Sequence, residues 1–111
     1  MHLLIALLTT CALTVFAPSS LAETTEKLKS ALASDIRSDA AKTRDANRKP
    51  IETLTFFGLE DDMRVLELIP GGGWYTELLA PVLAEKGKLF VAVGTQGIER
   101  KIADGRLNHV E

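Results

Sequence analysis

The sequence predicts an α/β fold with parallel strands, and two observations lead to it. Two short apolar runs, residues 64–69 and 89–93, lack the polar alternation of a half-exposed strand, so both are predicted to be buried on both faces. Residues 75–85, which lie between them, repeat apolar side chains at helical spacing. A strand, a helix and a strand in this order form a right-handed crossover with parallel pairing.

The segment before the first strand is predicted to be helical. Residues 23–48 are polar, and Leu28, Leu32 and Ile36 recur every four residues, which is typical of one narrow apolar stripe on a helix. The mixed charges of this segment are therefore predicted to lie on a solvated face. A second, short helix is predicted to begin at Pro50, because the missing N–H of proline costs nothing in a first helical turn.

This second helix is predicted to end at Gly58 in a left-handed cap, followed by a hydrophobic contact from Leu59. Its core-facing side chains are either Ile51, Leu54 and Phe57, or Leu54 with Phe56. Residues 60–62 are acidic, and we expect them to form a solvated turn before the first strand.

The helix at residues 75–85 and the segment after it complete the predicted elements. Four apolar side chains form the core face of this helix: Leu78, Leu79, Val82 and Leu83. Pro81 is expected to kink or shorten the helix, and Gly87 is expected to end it. After the second strand, residues 94–111 show one short helix near residues 98–102 and then a polar tail.

The junction between the first strand and the helix carries the strongest functional signal. Glu67 lies near the end of an apolar run, although desolvating an unpaired carboxylate is expensive. Three consecutive glycines follow, Gly71, Gly72 and Gly73, which give up side-chain packing and backbone entropy. Both features make sense if this turn lies against a ligand and Glu67 receives a donor. The helix start adds unpaired N–H groups, which suit a carboxylate or a phosphate.

This junction resembles the first motif of class I S-adenosylmethionine-dependent methyltransferases, in which a buried strand ends in an acid and a G-x-G turn opens a helix. Residues 31–93 are more closely similar to a group of exported bacterial proteins described as predicted methyltransferases. In that group an Asp-Ala-Asn-Arg segment, residues 45–48 here, precedes a Pro-Gly-Gly-Gly-Trp-Tyr-Thr turn, residues 70–76 here. The resemblance implies the N-terminal portion of a Rossmann-like methyltransferase sheet with S-adenosylmethionine as cofactor.

The resemblance also implies roles for particular residues. The glycine backbone and the helix start would hold the methionine end of the cofactor, Glu67 would accept from its ammonium group or hold loop amides, and an aromatic residue would wall the pocket. Asn47 or Arg48 would line the site in a minor role. The implied cofactor-binding residues are Glu67, Pro70, Gly71, Gly72, Gly73, Trp74 and Tyr75. Residues that bind the methyl acceptor would lie in later loops, so the sequence identifies no catalytic residue.

Two departures from the methyltransferase pattern matter. Ile69 stands where the common motif has another glycine. The second strand runs into residues 94–96, which include no carboxylate to hold the ribose hydroxyls. Rival motifs fit less well, since a dinucleotide-binding turn needs a glycine at Thr76 and a P-loop needs Gly-Lys-Ser or Gly-Lys-Thr. A glycine run that is only a tight connector in another α/β protein remains the structural alternative.

The first 22 residues predict a cleavable secretory signal. They contain no Asp, Glu, Lys or Arg, and residues 3–16 form an apolar stretch too short to span a bilayer of about 30 Å. Ser20 and Ala22 provide small residues at the positions that a signal peptidase reads, which predicts cleavage after Ala22 and export to the periplasm or the medium. An uncleaved anchor is the alternative, because the usual basic residue near the start is missing.

Composition excludes several classes of site. Cys11 leaves with the signal, so the mature chain is predicted to have no disulfide and no thiolate metal site. His2 leaves too, and His109 alone offers no metal site or acid–base dyad. A formal net charge of −2 with no block of one sign gives no indication of binding to nucleic acid or to an anionic membrane.

The sequence thus predicts three segments: a signal peptide at residues 1–22, a polar helical segment at 23–48 and a partial cofactor-binding domain at 49–111. Two strands are far fewer than a complete methyltransferase sheet contains, so we expect an N-terminal piece of a longer protein that is inactive alone. The alternative function is an exported, non-catalytic α/β binding or interaction module. Export and the missing ribose acid favour that alternative, because S-adenosylmethionine is made in the cytosol.

Overall fold

The computed structural model describes residues 20–111, in which six helices accompany two parallel strands, so the predicted α/β class is confirmed. The elements in chain order are α1 (Ser20–Ala33), α2 (Asp39–Thr43), α3 (Asp45–Arg48), α4 (Pro50–Phe56), β1 (Arg64–Leu68), α5 (Thr76–Leu83), β2 (Lys88–Ala92) and α6 (Gln96–Ala103). The predicted signal lies outside the described residues except for residues 20–22, which open α1. No helix within residues 20–111 has the length and apolar character needed to cross a membrane.

The sheet is parallel, and its two strands are joined by α5. Arg64 of β1 lies opposite Lys88 of β2, and the register continues without a bulge to the pair Leu68 and Ala92. The other edge of β2 is also engaged, because the N–H of Glu111 donates to the carbonyl of Leu89 at 3.0 Å. The outer edge of β1 pairs with no strand of the described chain, so it stays open.

The core lies between α5, α1 and the sheet. All four side chains on the predicted core face of α5 are buried, which confirms that prediction, and Pro81 lies within the helix on its exposed side. Leu28 of α1 and Leu89 of β2 are buried in the same cluster, together with Ile98 of α6 and Leu107. The apolar periodicity of α5 therefore positions the helix on which the candidate site is built.

The end of α4 confirms the predicted cap. Gly58 has a φ of 74°, its N–H donates to the carbonyl of Thr55 at 2.9 Å, and the N–H of Leu59 donates to Leu54 at 3.0 Å. These two bonds form a Schellman motif, and Leu59 is buried as such a motif favours. Leu54 faces the core as predicted, but the prediction was wrong for Phe56 and Phe57, which are 85% and 76% exposed.

Burial of β1 on both faces was predicted and is wrong. Its residues alternate, with Arg64, Leu66 and Leu68 exposed and Val65 and Glu67 half-buried. The reason is that the helices within residues 20–111 cover one face of the strand, while Leu66 and Leu68 project from the other. The apolar run correctly predicts a strand, but it does not show which faces the rest of the fold covers.

The N-terminal segment is not one continuous helical stripe. The helix α1 ends at Ala33, and Ile36 lies outside any helix and is 38% exposed. Two short helices follow, and the first is capped by Ser38, whose hydroxyl accepts from the N–H of Ala41 at 3.2 Å. A serine in this position satisfies an N–H group that the first helical turn leaves free, so it fixes where α2 begins.

Two charges predicted to be solvated are buried. Arg37 is only 3% exposed, and its guanidinium donates to both carboxylate oxygens of Asp45 at 2.8 Å and 2.7 Å. Asp61 is 1% exposed, forms ion pairs with Lys27 and Lys86, and donates its backbone N–H to Thr24 at 3.0 Å. Each of these buried charges has an opposite charge beside it, which is the condition under which burial is tolerated.

Candidate functional site

The glycine turn lies at the carboxyl end of β1, where it forms one wall of an open cleft. The other walls are the open edge of β1 and the helices α2, α3 and α4 with their connections, and the cleft volume is about 780 Å³. All the residues that the resemblance implied line it except Gly73: Glu67, Pro70, Gly71, Gly72, Trp74 and Tyr75. The predicted site residues are therefore brought together by the fold.

The backbone between β1 and the turn is in an unusual conformation. Ile69 has a φ of 55°, in the left-handed region that β-branched residues avoid, and its N–H donates to the carbonyl of Ala92 at 2.9 Å. This is the position at which the methyltransferase motif carries a glycine. The strand end follows a path suited to glycine although the side chain is isoleucine, at a cost of about 1–2 kcal/mol.

Glu67 is the acid at this end of β1. Its carboxylate accepts from the hydroxyl of Thr76 at 2.6 Å and pairs with no Lys, Arg or His of the described chain. Burial raises the pKa of Glu67 above its ordinary value, and the hydrogen bond from Thr76 offsets that rise in part. A half-buried carboxylate with one hydroxyl donor still has acceptor capacity to offer to the cleft.

The three glycines of the turn have different surroundings. A Cβ added at Gly71 or Gly72 would meet no atom within 4 Å, so this part of the backbone is open. At Gly73, where φ is 82°, an added Cβ would lie 2.7 Å from the Cδ1 of Ile98. Gly71 and Gly72 thus allow close approach of a ligand, whereas Gly73 is required by packing against α6.

The helix α6 packs against the turn and also contributes Lys101 to the cleft lining. Its Gly97 lies against the turn so closely that an added Cβ would be 2.7 Å from the carbonyl oxygen of Gly71. Lys101, one helical turn further along, forms an ion pair with the buried carboxylate of Glu77 at the start of α5. The sequence predicts a short helix in this region but not that it packs against the glycine turn. The only residue in the sequence that could have indicated this packing is Gly97.

Trp74 is chiefly a packing residue of the site. It is 7% exposed, and its Nε1 donates to the carbonyl of Ala41 at 2.9 Å, which ties the turn to α2. The ring of Tyr75 meets it edge to face, with centroids 4.7 Å apart. Both rings line the cleft, but Trp74 is mostly covered and Tyr75 is the half-buried one.

Arg48 lies over these two rings at the rim of the cleft. Its guanidinium carbon is 4.6 Å from the centroid of Trp74 and 5.8 Å from that of Tyr75. No carboxylate within residues 20–111 forms an ion pair with it. Of the two residues suggested by the sequence for a minor role here, Arg48 lines the cleft and Asn47 does not.

The end of β2 offers no carboxylate directly after the strand. Val93 and Gly94 both have a φ of 69°, and the hydroxyl of Thr95 donates to Glu99 at 2.6 Å. Glu99 is the first acid after the strand and is exposed in the first turn of α6. Over the described residues, no group of three or more His, Cys, Asp or Glu side chains is arranged to hold a metal ion.

Comparison of this chain with protein-family models, with curated proteins and with solved structures finds no match. The chemistry of the cleft is that of binding. It combines an acceptor carboxylate, open glycine backbone, an aromatic wall and a guanidinium, all at the carboxyl end of a parallel strand, where open α/β sheets bind their ligands.

Proposed function

We propose that this chain is the cofactor-binding N-terminal part of an S-adenosylmethionine-dependent methyltransferase with a Rossmann-like sheet. The observation that carries the proposal is that Glu67, a half-buried carboxylate with no cationic partner among residues 20–111, lies beside the open backbone of Gly71 and Gly72. A ligand with an ammonium group at a small polar end could donate a hydrogen bond to Glu67 while that end lies against the backbone of the glycine turn.

The cleft suits a cofactor of this size. Its volume of about 780 Å³ falls within the range of roughly 300–1,000 Å³ that is typical of small-molecule sites. The left-handed conformation of Ile69 supports the same proposal, because the motif carries at this position a glycine, the residue that adopts such a conformation without strain. Tyr75 is available as a flat wall on the cleft side.

The bound cofactor would supply an electrophilic methyl group on its sulfonium, and the protein has to orient that group. In this chain, Glu67 would accept from the ammonium, and the glycine turn would allow the methionine end to approach the backbone. Neither Glu67 nor the glycine turn would exchange a proton with a reacting atom, so we assign both to cofactor binding rather than to catalysis.

Titration of the purified protein with S-adenosylhomocysteine tests the proposal. We expect saturable binding, and we expect Gly72→Val to weaken it at least tenfold because the branched side chain fills the open space beside the turn. The melting temperature of Gly72→Val should stay close to that of the wild type, since the site of the new side chain is empty. No heat of binding by the wild type at millimolar ligand would refute the proposal.

The second candidate is an exported, non-catalytic α/β binding module, and the end of β2 favours it. The residues that follow this strand offer no carboxylate for ribose hydroxyls, and Glu99 already accepts from Thr95. Such a module would keep the fold and the cleft but would bind neither S-adenosylmethionine nor S-adenosylhomocysteine. The same titration separates the two functions.

Export is a proposal as well, carried by the sequence of residues 1–22. Cleavage after Ala22 would leave Glu23 at the start of α1 and remove Ser20, whose hydroxyl donates to Glu60 at 3.2 Å in an exposed hydrogen bond. N-terminal sequencing of protein from a periplasmic or secreted fraction should therefore begin at Glu23. Recovery of a cytosolic product that retains Met1 would contradict export.

A further inference from the structure

We infer that Arg48 is the anion-binding residue of the cleft and holds the α-carboxylate of a ligand whose ammonium group is accepted by Glu67. The inference rests on the proposed function and names the part of the ligand that the cleft recognises, an α-amino-acid end. Both residues line the same cleft, one from the end of α3 and the other from β1.

The contrast with Arg37 shows what is unusual about Arg48. Both guanidinium groups lie over Trp74, with distances of 5.6 Å for Arg37 and 4.6 Å for Arg48. The Nη1 and Nη2 groups of Arg37 are engaged within the fold, because they donate to both carboxylate oxygens of Asp45 and to the carbonyl of Leu32. Within residues 20–111, the side chain of Arg48 makes only cation–π contacts, although it is half-buried.

Stacking leaves the donors of Arg48 available. A guanidinium meets an aromatic ring through its flat face, whereas its five N–H groups point outward in the plane. Two parallel N–H groups in that plane match the two oxygens of a carboxylate. No side-chain N–H group of Arg48 donates a hydrogen bond within residues 20–111, so these donors are available to a ligand in the cleft.

The backbone of Arg48 is held on both sides, so the side chain starts from a fixed point. The N–H of Arg48 donates to the carbonyl of Arg44 at 3.1 Å, and its own carbonyl accepts from the hydroxyl of Thr53 at 3.0 Å. Lys49, which follows, has a φ of 44° and ends α3. The backbone position from which the Arg48 side chain reaches the cleft is therefore fixed by the fold.

The charges of the cleft favour an amino-acid end over a phosphate. Lys101 is neutralised by Glu77, which leaves Arg44, Arg48 and Glu67 as the charges that a ligand would meet. A phosphate would be repelled by Glu67, and a simple ammonium would be repelled by the arginines. A zwitterion with adjacent carboxylate and ammonium groups satisfies both signs at once.

The test compares two ligands that differ only in this end. S-adenosylhomocysteine carries the α-amino acid, and 5′-methylthioadenosine lacks it. We expect Arg48→Gln to weaken binding of S-adenosylhomocysteine by roughly 10- to 100-fold, as for loss of a charged hydrogen bond, and to leave 5′-methylthioadenosine unchanged. Arg48→Lys should give a smaller loss confined to the same ligand. Arg100→Gln, an exposed arginine of α6 outside the cleft, is the charge-matched control and should change neither affinity.

Two results would overturn the inference while leaving the proposed function intact. One is equal binding of S-adenosylhomocysteine by the wild type and by Arg48→Gln. The other is an equal loss of both ligands, which would show that Arg48 only supports Trp74 and Tyr75. If Arg48→Gln does not fold, the same comparison is made with Arg48→Lys. If the wild type binds neither ligand, the proposed function and this inference fail together.

Discussion

An acidic residue with restricted access to solvent lies near each end of β1, and the two residues differ in the groups that surround their carboxylates. Asp61, just before the strand, has Lys27 and Lys86 beside its carboxylate, and Lys27 holds the pKa of Asp61 below its ordinary value. Glu67, at the carboxyl end, has only the hydroxyl of Thr76, and burial raises its pKa. The first acid is satisfied by the fold, and the second is left with unused acceptor capacity.

The same division runs through the glycine turn. Gly73 and Gly97 are packed against side chains or backbone of the neighbouring element, so their lack of a side chain serves the fold. Gly71 and Gly72 face open space on the cleft side, but the φ of 56° at Gly71 already favours a glycine, so Gly72 is the glycine that the fold leaves unexplained. Acids and glycines that look alike in the sequence thus fall into two groups. In one group the charge or the missing side chain is explained by contacts within the fold, and in the other we propose that it is explained by a ligand.

The largest effect is expected for Asp61→Asn. Lys27 then keeps the more exposed carboxylates of Glu23 and Glu85 as partners, and we expect the free energy of unfolding at pH 7 to fall by about 2.5 kcal/mol, as for loss of a buried hydrogen bond to a charged group. The pKa of Asp61 is lower in the folded state than in the unfolded state, where it is about 3.9. The stabilisation by Asp61 is therefore present above the unfolded-state pKa and is lost as the pH falls through the folded-state pKa. Denaturant unfolding from pH 7 to pH 2 measures both quantities.

The exposed pair Lys88 and Glu111 supplies the control for that experiment. Its side chains are 47% and 53% exposed, so Lys88→Met should cost less than about 1 kcal/mol. Equal costs for Asp61→Asn and Lys88→Met would show that Asp61 is not a structural acid.

Next in size is the difference between Gly73→Ala and Gly72→Ala. The methyl group at Gly73 would meet Ile98 and would also require a left-handed alanine, so we expect a loss of about 2 kcal/mol, against less than about 0.5 kcal/mol at Gly72. Thermal unfolding of the two variants makes the comparison. Ile98→Val removes the Cδ1 atom, so adding it to Gly73→Ala should recover part of the loss. A Gly72→Ala protein that is equally destabilised would contradict the division of the turn.

The smallest effect on stability is expected for Ile69→Gly. This change removes the left-handed strain of a β-branched residue, and we expect a gain of up to about 1 kcal/mol because the entropy lost by a glycine on folding offsets part of it. Ile69 is 72% exposed, so little packing is lost. Ile102→Gly, at an exposed isoleucine inside α6, is the matched control and should destabilise. A loss of stability in both variants would show that Ile69 is not strained.

Local patterns in the sequence predict the elements well. The helix-to-strand order, the cap at Gly58 and the core face of α5 depend on residues close together in the chain, and the structure confirms them. The helix near residues 98–102 is also confirmed, with wider bounds. Periodicity and turn residues report backbone conformation, which is largely decided by neighbours in sequence.

Burial could not be predicted equally well, because it depends on which distant elements meet. The exposure of Leu66 and Leu68 follows from the missing cover on one side of β1. The burial of Arg37 follows from Asp45, and that of Asp61 from Lys27, partners that a charge count does not reveal. For the same reason the sequence indicates the glycine turn but not the support that Lys101 and Glu77 give to it.

Glu67→Gln separates an acid kept for binding from an acid kept for folding. The pKa of Glu67 is higher in the folded state than in the unfolded state, where it is about 4.3. Ionisation of Glu67 therefore lowers the free energy of unfolding as the pH rises from the unfolded-state pKa through the folded-state pKa. We therefore expect Glu67→Gln to equal or exceed the wild type in unfolding free energy at pH 7, yet to bind S-adenosylhomocysteine about 10- to 100-fold more weakly. Both values come from one set of thermal-shift titrations with and without ligand. A variant that is less stable and binds with wild-type affinity would contradict the assignment of Glu67 to the ligand.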